Sequence, residues 1–141
     1  MFSKPESRKA RWSLNDNYLR FWFRFIYPNQ SLIEMGKYDL LRETIDKNYE
    51  QYSGFILEKY FRAKMAEEER ITAIGSYWDS KGENEIDLIA LNDLDKTAIV
   101  AEVKRNPKKI DMALLQAKAD SIKKELAKYE VELRGLSMND I

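Results

Sequence analysis

Two acidic residues and a lysine lie at a spacing that could support phosphodiester chemistry. Asp87 lies inside the apolar run EIDLIA at 85–90. Further along, the run EVK at 102–104 places Glu102 two residues before Lys104. Since alternate side chains of a strand point to the same face, Glu102 and Lys104 would share a face if this segment is a strand.

Two strands joined by a polar turn would position these groups. We predict strands over 85–91 and 97–104, because both segments are apolar and β-branched residues recur in them. An antiparallel hairpin brings the start of one strand beside the end of the next. It would therefore bring Asp87 beside Glu102, with Lys104 next to both.

The chemistry follows from the charges. Two carboxylates held close together repel one another unless a cation lies between them. Mg²⁺ binds one or two carboxylates, keeps several waters and binds substrate phosphate, and a bound divalent metal activates water for attack. A lysine adds a fixed positive charge near the phosphate. The pattern predicts a phosphodiesterase site that uses Mg²⁺ or Mn²⁺, with Asp87 and Glu102 as metal ligands and Lys104 as a catalytic residue.

Two further glutamates lie near this motif. Side-chain alternation would place Glu85 on the face of Asp87, as a supporting residue. The opposite face would then carry Ile86, Leu88 and Ala90. On the preceding helix, Glu58 could supply a third carboxylate to the metal.

Composition narrows the possible sites. The chain has 141 residues, enough for one core, and 44% of them are apolar, as in a globular domain. It contains no cysteine and no histidine. Thiolate and imidazole metal sites, and Ser-His-Asp or Cys-His catalysis, are therefore excluded, and a metal would need oxygen ligands. We predict a cytoplasmic protein, because the sequence shows neither a membrane-spanning run nor a signal peptide.

The net charge is zero, but the charges are unevenly placed. Residues 66–102 hold ten acidic and three basic residues, whereas residues 103–128 hold eight basic and three acidic ones. An acidic centre beside a basic segment suits a metal-dependent enzyme that acts on DNA. Solvated faces of alternating sign explain the same distribution equally well.

The predicted elements define an α/β protein. Before residue 38 we expect a lone strand at 8–14, an aromatic helix at 18–27 that must be buried or must dock on another surface, and a loop at 31–37. Residues 38–141 would form one domain after an extension at 1–37. The remaining predicted elements are helices at 38–47 and 48–68, strands at 71–78, 85–91 and 97–104, a helix at 110–128, and a strand at 131–136.

Two core stripes are predicted from helical periodicity. The first, on the long helix, comprises Tyr49, Tyr52, Ile56, Tyr60 and Ala63. The second, on the helix after the motif, comprises Leu114, Ala117, Ile122 and Leu126.

The motif and the element order resemble the PD-(D/E)xK nuclease superfamily, which has the restriction-endonuclease-like fold. The resemblance rests on EIDLIA at 85–90 and EVK at 102–104. It implies Asp87 and Glu102 as metal ligands, Lys104 as the motif lysine, and Glu58 as the helix glutamate of some branches. Gln116 matches a polar position on the following helix.

A narrower resemblance covers nearly the whole chain. The segments at 15–29, 54–61 and 75–90 are similar to the C-terminal domain of archaeal-type ATPases, which also occur in bacteria. The resemblance implies a preceding P-loop ATPase and winged helix in a longer protein, with the 8–14 strand as a remnant of the latter. This chain has no GxxxxGK segment and so no P-loop ATP site of its own.

Plainer alternatives stand beside each assignment. Glu102 and Lys104 could form a cross-strand ion pair, and the lysines at 108, 109 and 118 could be a solvated face rather than a DNA contact. Arg20 and Arg24 are expected to extend their charges out of an aromatic helix to solvent. As a whole, the chain could be a catalytically inactive DNA-binding or regulatory module of the ATPase, or a homodimerisation domain that uses the 18–27 helix.

Overall fold

The computed structural model describes residues 14–68, 70–79 and 84–141. These residues form two compact units, an N-terminal unit of residues 14–56 and a C-terminal unit that begins at residue 57. The predicted strand at 8–14 lies outside the described residues except for Leu14. The boundary predicted between residues 37 and 38 stays a prediction.

The N-terminal unit begins with a series of short helices. Asp16 caps α1, since its side chain accepts a hydrogen bond from the backbone N–H of Leu19 at 2.8 Å. Part of the predicted 31–37 loop is helical. The segments are α1 (Asn17–Phe21), a π-helical segment (Trp22–Ile26), a 3₁₀ turn (Tyr27–Asn29) and α2 (Gln30–Glu34).

Burial of the aromatic helix is limited to one side chain. Phe25 is buried, with its ring centroid 5.1 Å from that of Phe21 and 5.3 Å from that of Tyr52. Phe23 and Tyr27 are exposed. A short helix can cover only one of its faces against its own unit, and the alternative expectation, that the helix docks on another surface, stays a prediction.

The next helix, α3, runs without interruption from Tyr38 to Glu68. We predicted two helices, with the second starting near Asn48. Instead, the Asn48 side chain donates a hydrogen bond to the Thr44 carbonyl at 2.9 Å, four residues back in the same helix. Asn48 therefore does not act as a helix cap, and the helix continues through it.

The predicted stripe of α3 is displaced. The buried side chains in its C-terminal part are Leu57, Phe61 and Met65, at four-residue steps. Tyr49 and Tyr60, which we expected in the core, are exposed. A tyrosine hydroxyl needs a polar partner when buried, so purely apolar side chains occupy the face that packs on the sheet.

The predicted order of elements along the chain, three strands followed by a helix and a fourth strand, is confirmed, and the strands form one mixed sheet. The four strands lie in the order β1-β2-β3-β4, with the first two pairings antiparallel and the β3–β4 pairing parallel. A parallel pairing requires a crossover, which α4 (Met112–Ser121) provides. The strands are β1 (Ala73–Trp78), β2 (Glu85–Asn92), β3 (Thr97–Val103) and β4 (Glu130–Leu136).

Both faces of the central strands are covered by apolar side chains. The cluster on the face of α3 combines residues of that helix with β2 and β3 residues, and its fully buried members from the strands are Leu88, Ala90 and Ala101. The cluster on the face of α4 includes Ile86, Ile89, Val100, Leu115 and Ile122.

Strand β2 contains a bulge next to Asp87. Ile86 packs with the α4 cluster, whereas Leu88 packs with the α3 cluster, so the prediction that both share a face is wrong. The β1–β2 register shifts here. Gly75 pairs with Ile89 and Tyr77 pairs with Ile86, so one residue of β1 lies opposite two residues of β2. A bulge changes the direction of a side chain, and bulges are common beside functional sites.

Helix α4 is shorter than predicted, and a different set of its side chains faces the sheet. Asp111 caps it by accepting a hydrogen bond from the Leu114 backbone N–H at 2.9 Å. Leu114 and Ala117, which we expected inside, are exposed, and Leu115 and Ala119 are buried in their place. The cap sets where the helix begins and therefore which side chains face the sheet.

Two glycines should respond to alanine in opposite directions. A Cβ on Gly135 would lie 2.7 Å from the Cγ2 of Ile110, whereas a Cβ on Gly54 in α3 would meet nothing within 4 Å. We expect Gly135→Ala to lower the free energy of unfolding by about 1–3 kcal/mol. Gly54→Ala should raise it by about 0.5–1 kcal/mol, because glycine disfavours a helix. Urea unfolding of the two variants measures both, and equal signs would contradict the packing described here.

Candidate carboxylate–lysine site

The antiparallel pairing of β2 and β3 brings Asp87 and Glu102 together. Leu88 pairs with Ala101, and Asp87 and Glu102 are the residues next to this pair on their two strands. The Asp87 Oδ2 accepts a hydrogen bond from the Val103 backbone N–H at 2.9 Å. A side-chain oxygen thus takes an N–H of β3, and this bond holds the carboxylate against the end of that strand.

Lys104 lies between the two carboxylates. Its Nζ is 3.5 Å from the Oδ2 of Asp87 and 3.3 Å from the Oε1 of Glu102. Partial burial lowers the pKa of Lys104, but the negative charges of Asp87 and Glu102 outweigh it, and the pKa is raised above its ordinary value. Lys104 is therefore a fixed cation at neutral pH, and the convergence predicted from the sequence is present.

Glu102 is the most deeply buried member of the cluster, with 4% of its surface exposed. Besides Lys104, its Oε1 contacts the Nζ of Lys118 at 3.4 Å, and its Oε2 accepts from the backbone N–H of Asp111 at 3.4 Å. A buried carboxylate is costly unless it is paired. Two ammonium groups and a backbone N–H supply that pairing.

Lys118 belongs to this cluster, which the sequence analysis missed. It was predicted as a DNA contact together with Lys108 and Lys109. Those two are exposed in the 3₁₀ turn Pro107–Lys109, whereas Lys118 is mostly buried against Glu102. Its place three residues after Leu115, at the edge of the buried stripe of α4, is the signal that could have identified it.

Glu58 on α3 lies within electrostatic reach of the cluster. Partial burial, followed by the negative charge of Asp87, raises the pKa of the Glu58 carboxyl to about 7, against smaller lowering effects of Arg62 and Lys104. Glu58 is therefore close to half-protonated at neutral pH. A nearby cation would stabilise the ionised form of such a carboxyl, as is the case for a metal ligand.

Arg62 is a second neighbour that the sequence analysis did not consider. It lies one helical turn after Glu58, and its Nη2 donates to the backbone carbonyl of Asp87 at 3.4 Å. Its Nε is buried and has no hydrogen-bond partner among the described residues. The four-residue spacing from Glu58 was the available signal.

The two weakest assignments are not brought into the cluster. Gln116 is exposed and donates a hydrogen bond to Asp120 at 3.1 Å, on its own helix. Glu85 is exposed, and the bulge after Ile86 removes the alternation argument that placed it on the face of Asp87. Its charge still contributes to the raised pKa of Glu58.

The donor set fits a hard divalent cation only in part. In the described ranges, no group of three or more carboxylates is arranged to hold a metal ion. The convergent pair Asp87 and Glu102 provides two oxygen donors, and Mg²⁺ is commonly held by one or two carboxylates together with waters and substrate phosphate. Two carboxylates with waters fit a magnesium or manganese ion, and Glu58 is a third carboxylate within electrostatic reach of Asp87.

Fold and site together define an α/β protein with a mixed four-stranded sheet and a carboxylate–lysine cluster at the end of a central hairpin. Residues 22–122 match the DUF234 family, which is described as archaea bacterial proteins of unknown function. The match covers more than half of the chain, so the chain belongs to this family.

The chain is also similar to an uncharacterized protein of Methanocaldococcus jannaschii, with 43% identity over 106 residues. The matched segment is 70% of this chain and 23% of that relative, so the chain spans only about a quarter of the relative's length. No solved structure shows a significant match. Of the helices that the structure describes, none is both long and apolar enough to cross a membrane.

The raised pKa of Glu58 should be visible in stability. Because the pKa of Glu58 is about 7 in the folded protein and the ordinary pKa of a glutamate is 4.5, the folded protein binds more protons than the unfolded chain in this interval. The contribution of protonated Glu58 to the free energy of unfolding is therefore complete below about pH 4.5 and is lost as the pH rises through 7. After discounting for solvent exposure, we expect the free energy of unfolding of the wild type to fall by about 1–2 kcal/mol relative to that of Glu58→Gln between these two pH values.

Urea unfolding of the wild type and Glu58→Gln at intervals between pH 4 and 8 measures this difference. Glu43→Gln, which changes an exposed glutamate of the same helix, is the control. Parallel pH profiles for wild type and Glu58→Gln would contradict a perturbed Glu58.

Proposed function

We propose that this chain is a metal-dependent phosphodiesterase domain of the DNA endonuclease type. The observation that supports it most is the convergence of the Asp87 and Glu102 carboxylates on Lys104 at the end of the β2–β3 hairpin. Such a set of charges suits attack on a phosphodiester, where negative charge develops on the phosphoryl oxygens.

In this proposal Asp87 and Glu102 hold a Mg²⁺ or Mn²⁺ ion, with Glu58 as the third carboxylate. The bound ion would polarise the phosphate and neutralise its charge. Asp87 is held in position by its hydrogen bond from Val103, and Glu102 is held by Lys118. Because a backbone N–H holds Asp87 and a mostly buried lysine holds Glu102, both carboxylates are positioned before a ligand binds.

Lys104 has a separate role. Its charge is retained at neutral pH, and it is only partly covered, with 37% of its side chain exposed. It can therefore face solvent and a phosphate while it contacts both carboxylates. The exposed Lys108 and Lys109 follow directly after β3 and would contact the flanking DNA backbone.

We further propose that the chain is the C-terminal part of a longer ATPase, in which a P-loop domain and a winged helix precede it. The segments quoted above support this by resemblance. The relative is about three times as long as this chain, which is compatible with additional domains in that protein.

Substitution of the central residues should abolish cleavage. With Mn²⁺ and single-stranded, duplex and branched DNA, we expect Asp87→Asn and Lys104→Met to lower the rate by about 10²-fold or more, because each removes charge at the reacting phosphate. Lys124→Met, at an exposed lysine of the same chain, should keep the wild-type rate. Gel analysis of end-labelled substrates measures the rates.

Metal binding provides a second readout that does not depend on the choice of substrate. Calorimetric titration with Mn²⁺ should show binding that Asp87→Asn weakens and Lys124→Met leaves unchanged. If wild-type protein neither binds Mn²⁺ nor cleaves any of the three DNA forms, the hydrolase proposal is wrong.

A catalytically inactive nuclease-like module is the second candidate. One observation favours it: the ammonium of Lys104 already lies between the two carboxylates, and that of Lys118 also contacts Glu102. The cluster can thus neutralise itself by ion pairing. This candidate predicts no measurable Mn²⁺ affinity and the same DNA or partner binding in Glu102→Gln as in the wild type.

A further inference from the structure

The N-terminal unit contains a cavity of about 560 Å³ with two arginines in its wall. No acidic residue is among the described residues that line it. The remaining wall is largely apolar and aromatic. The residues that matter for the argument are Leu14, Arg20, Phe23, Arg24, Tyr52 and Phe55.

Arg20 is held in place by its neighbours. The central carbon of its guanidinium lies 3.7 Å from the centroid of the Phe55 ring, and its Nη1 donates to the Leu14 carbonyl at 3.1 Å. Its Nε is buried and has no hydrogen-bond partner in the described part of the chain. The guanidinium therefore has a buried donor that the described residues do not satisfy. Because buried donors are nearly always hydrogen-bonded, this one needs an explanation.

Arg24 and Phe23 approach the same cavity from the π-helical segment Trp22–Ile26. Arg24 donates from Nη2 to the side-chain oxygen of Gln51 at 3.2 Å. Phe23 has 55% of its surface exposed. A π-helical turn inside a helix is uncommon and is frequently found at functional sites.

We propose that this cavity binds a nucleotide, with its phosphate on the two arginines and its base against the exposed ring of Phe23. A guanidinium matches the oxygens of a phosphate in a bidentate manner, and two of them balance a phosphate monoester of charge about −2. Aromatic faces accept a planar base, whose stacking is worth about 1–3 kcal/mol. The volume falls in the range of about 300–1,000 Å³ that is typical of small-molecule sites.

This inference does not depend on the nuclease proposal, because all of the residues that carry it belong to the N-terminal unit. The nucleotide could be a free mononucleotide or one unit of a single strand. Both share the phosphate and the planar base, so the experiment has an arm for each.

Calorimetric titration of the 141-residue chain with AMP, adenosine and inorganic phosphate tests the proposal. We expect AMP to bind at least about tenfold more tightly than either fragment, since both parts contribute. Arg24→Gln should weaken AMP binding by about 10–100-fold through loss of a charge-assisted contact. Arg42→Gln, at an exposed arginine on α3, should remain near the wild-type value.

Arg20→Gln serves as a second variant, and thermal unfolding first establishes that it is folded. A short oligo-dA strand then distinguishes a free mononucleotide from one unit of a single strand as the ligand. If it binds more tightly than AMP and loses affinity in Arg24→Gln, the ligand is part of a strand, and if AMP binds more tightly, it is a free nucleotide. Absence of AMP and oligo-dA binding, or affinities that neither Arg20→Gln nor Arg24→Gln changes, would overturn the proposal.

Discussion

The pairing of one buried carboxylate is the constraint on which the site depends. Glu102 lies near the end of β3, in which every other residue except Thr97 is apolar and buried, so its charge needs cations close by. Lys104 comes from the same strand end, Lys118 from α4, and the backbone N–H of Asp111 from the residue that caps this helix. The same contacts that neutralise Glu102 join β3 to the start of α4.

The bulge in β2 is the second feature that shapes the site. It lets Ile86 fill the α4 cluster while Leu88 fills the α3 cluster, and Asp87 lies between them with its carboxylate on the N–H of Val103. A strand buried on both faces has little room for a charge. The extra residue allows an acidic side chain at this point without removing an apolar one from either core.

Much of the fold could be predicted from the sequence, and the reasons are local. The strands at 73–78, 85–92, 97–103 and 130–136 lie close to the predicted segments, because short apolar runs between polar turns are typical of strands. Helical faces were predicted less well. Leu115 instead of Leu114 and Phe61 instead of Tyr60 face the sheet, and a shift of one residue rotates a helix by about 100°. Caps and contacts with the sheet decide that rotation.

The sequence by itself determined the set of groups available at the candidate site. Without cysteine or histidine, it can only combine carboxylates with lysines and arginines, and alternation along β3 puts Glu102 and Lys104 on one face. Only the tertiary structure decided which helix residues join them. Lys118 lies 16 positions from Glu102 and Arg62 lies 25 positions from Asp87, and the helical spacings of these two residues do not show which strand residue they contact. Packing of α3 and α4 against opposite faces of the sheet brings them near, because burying the apolar stripes of both helices sets which polar residues lie at their edges.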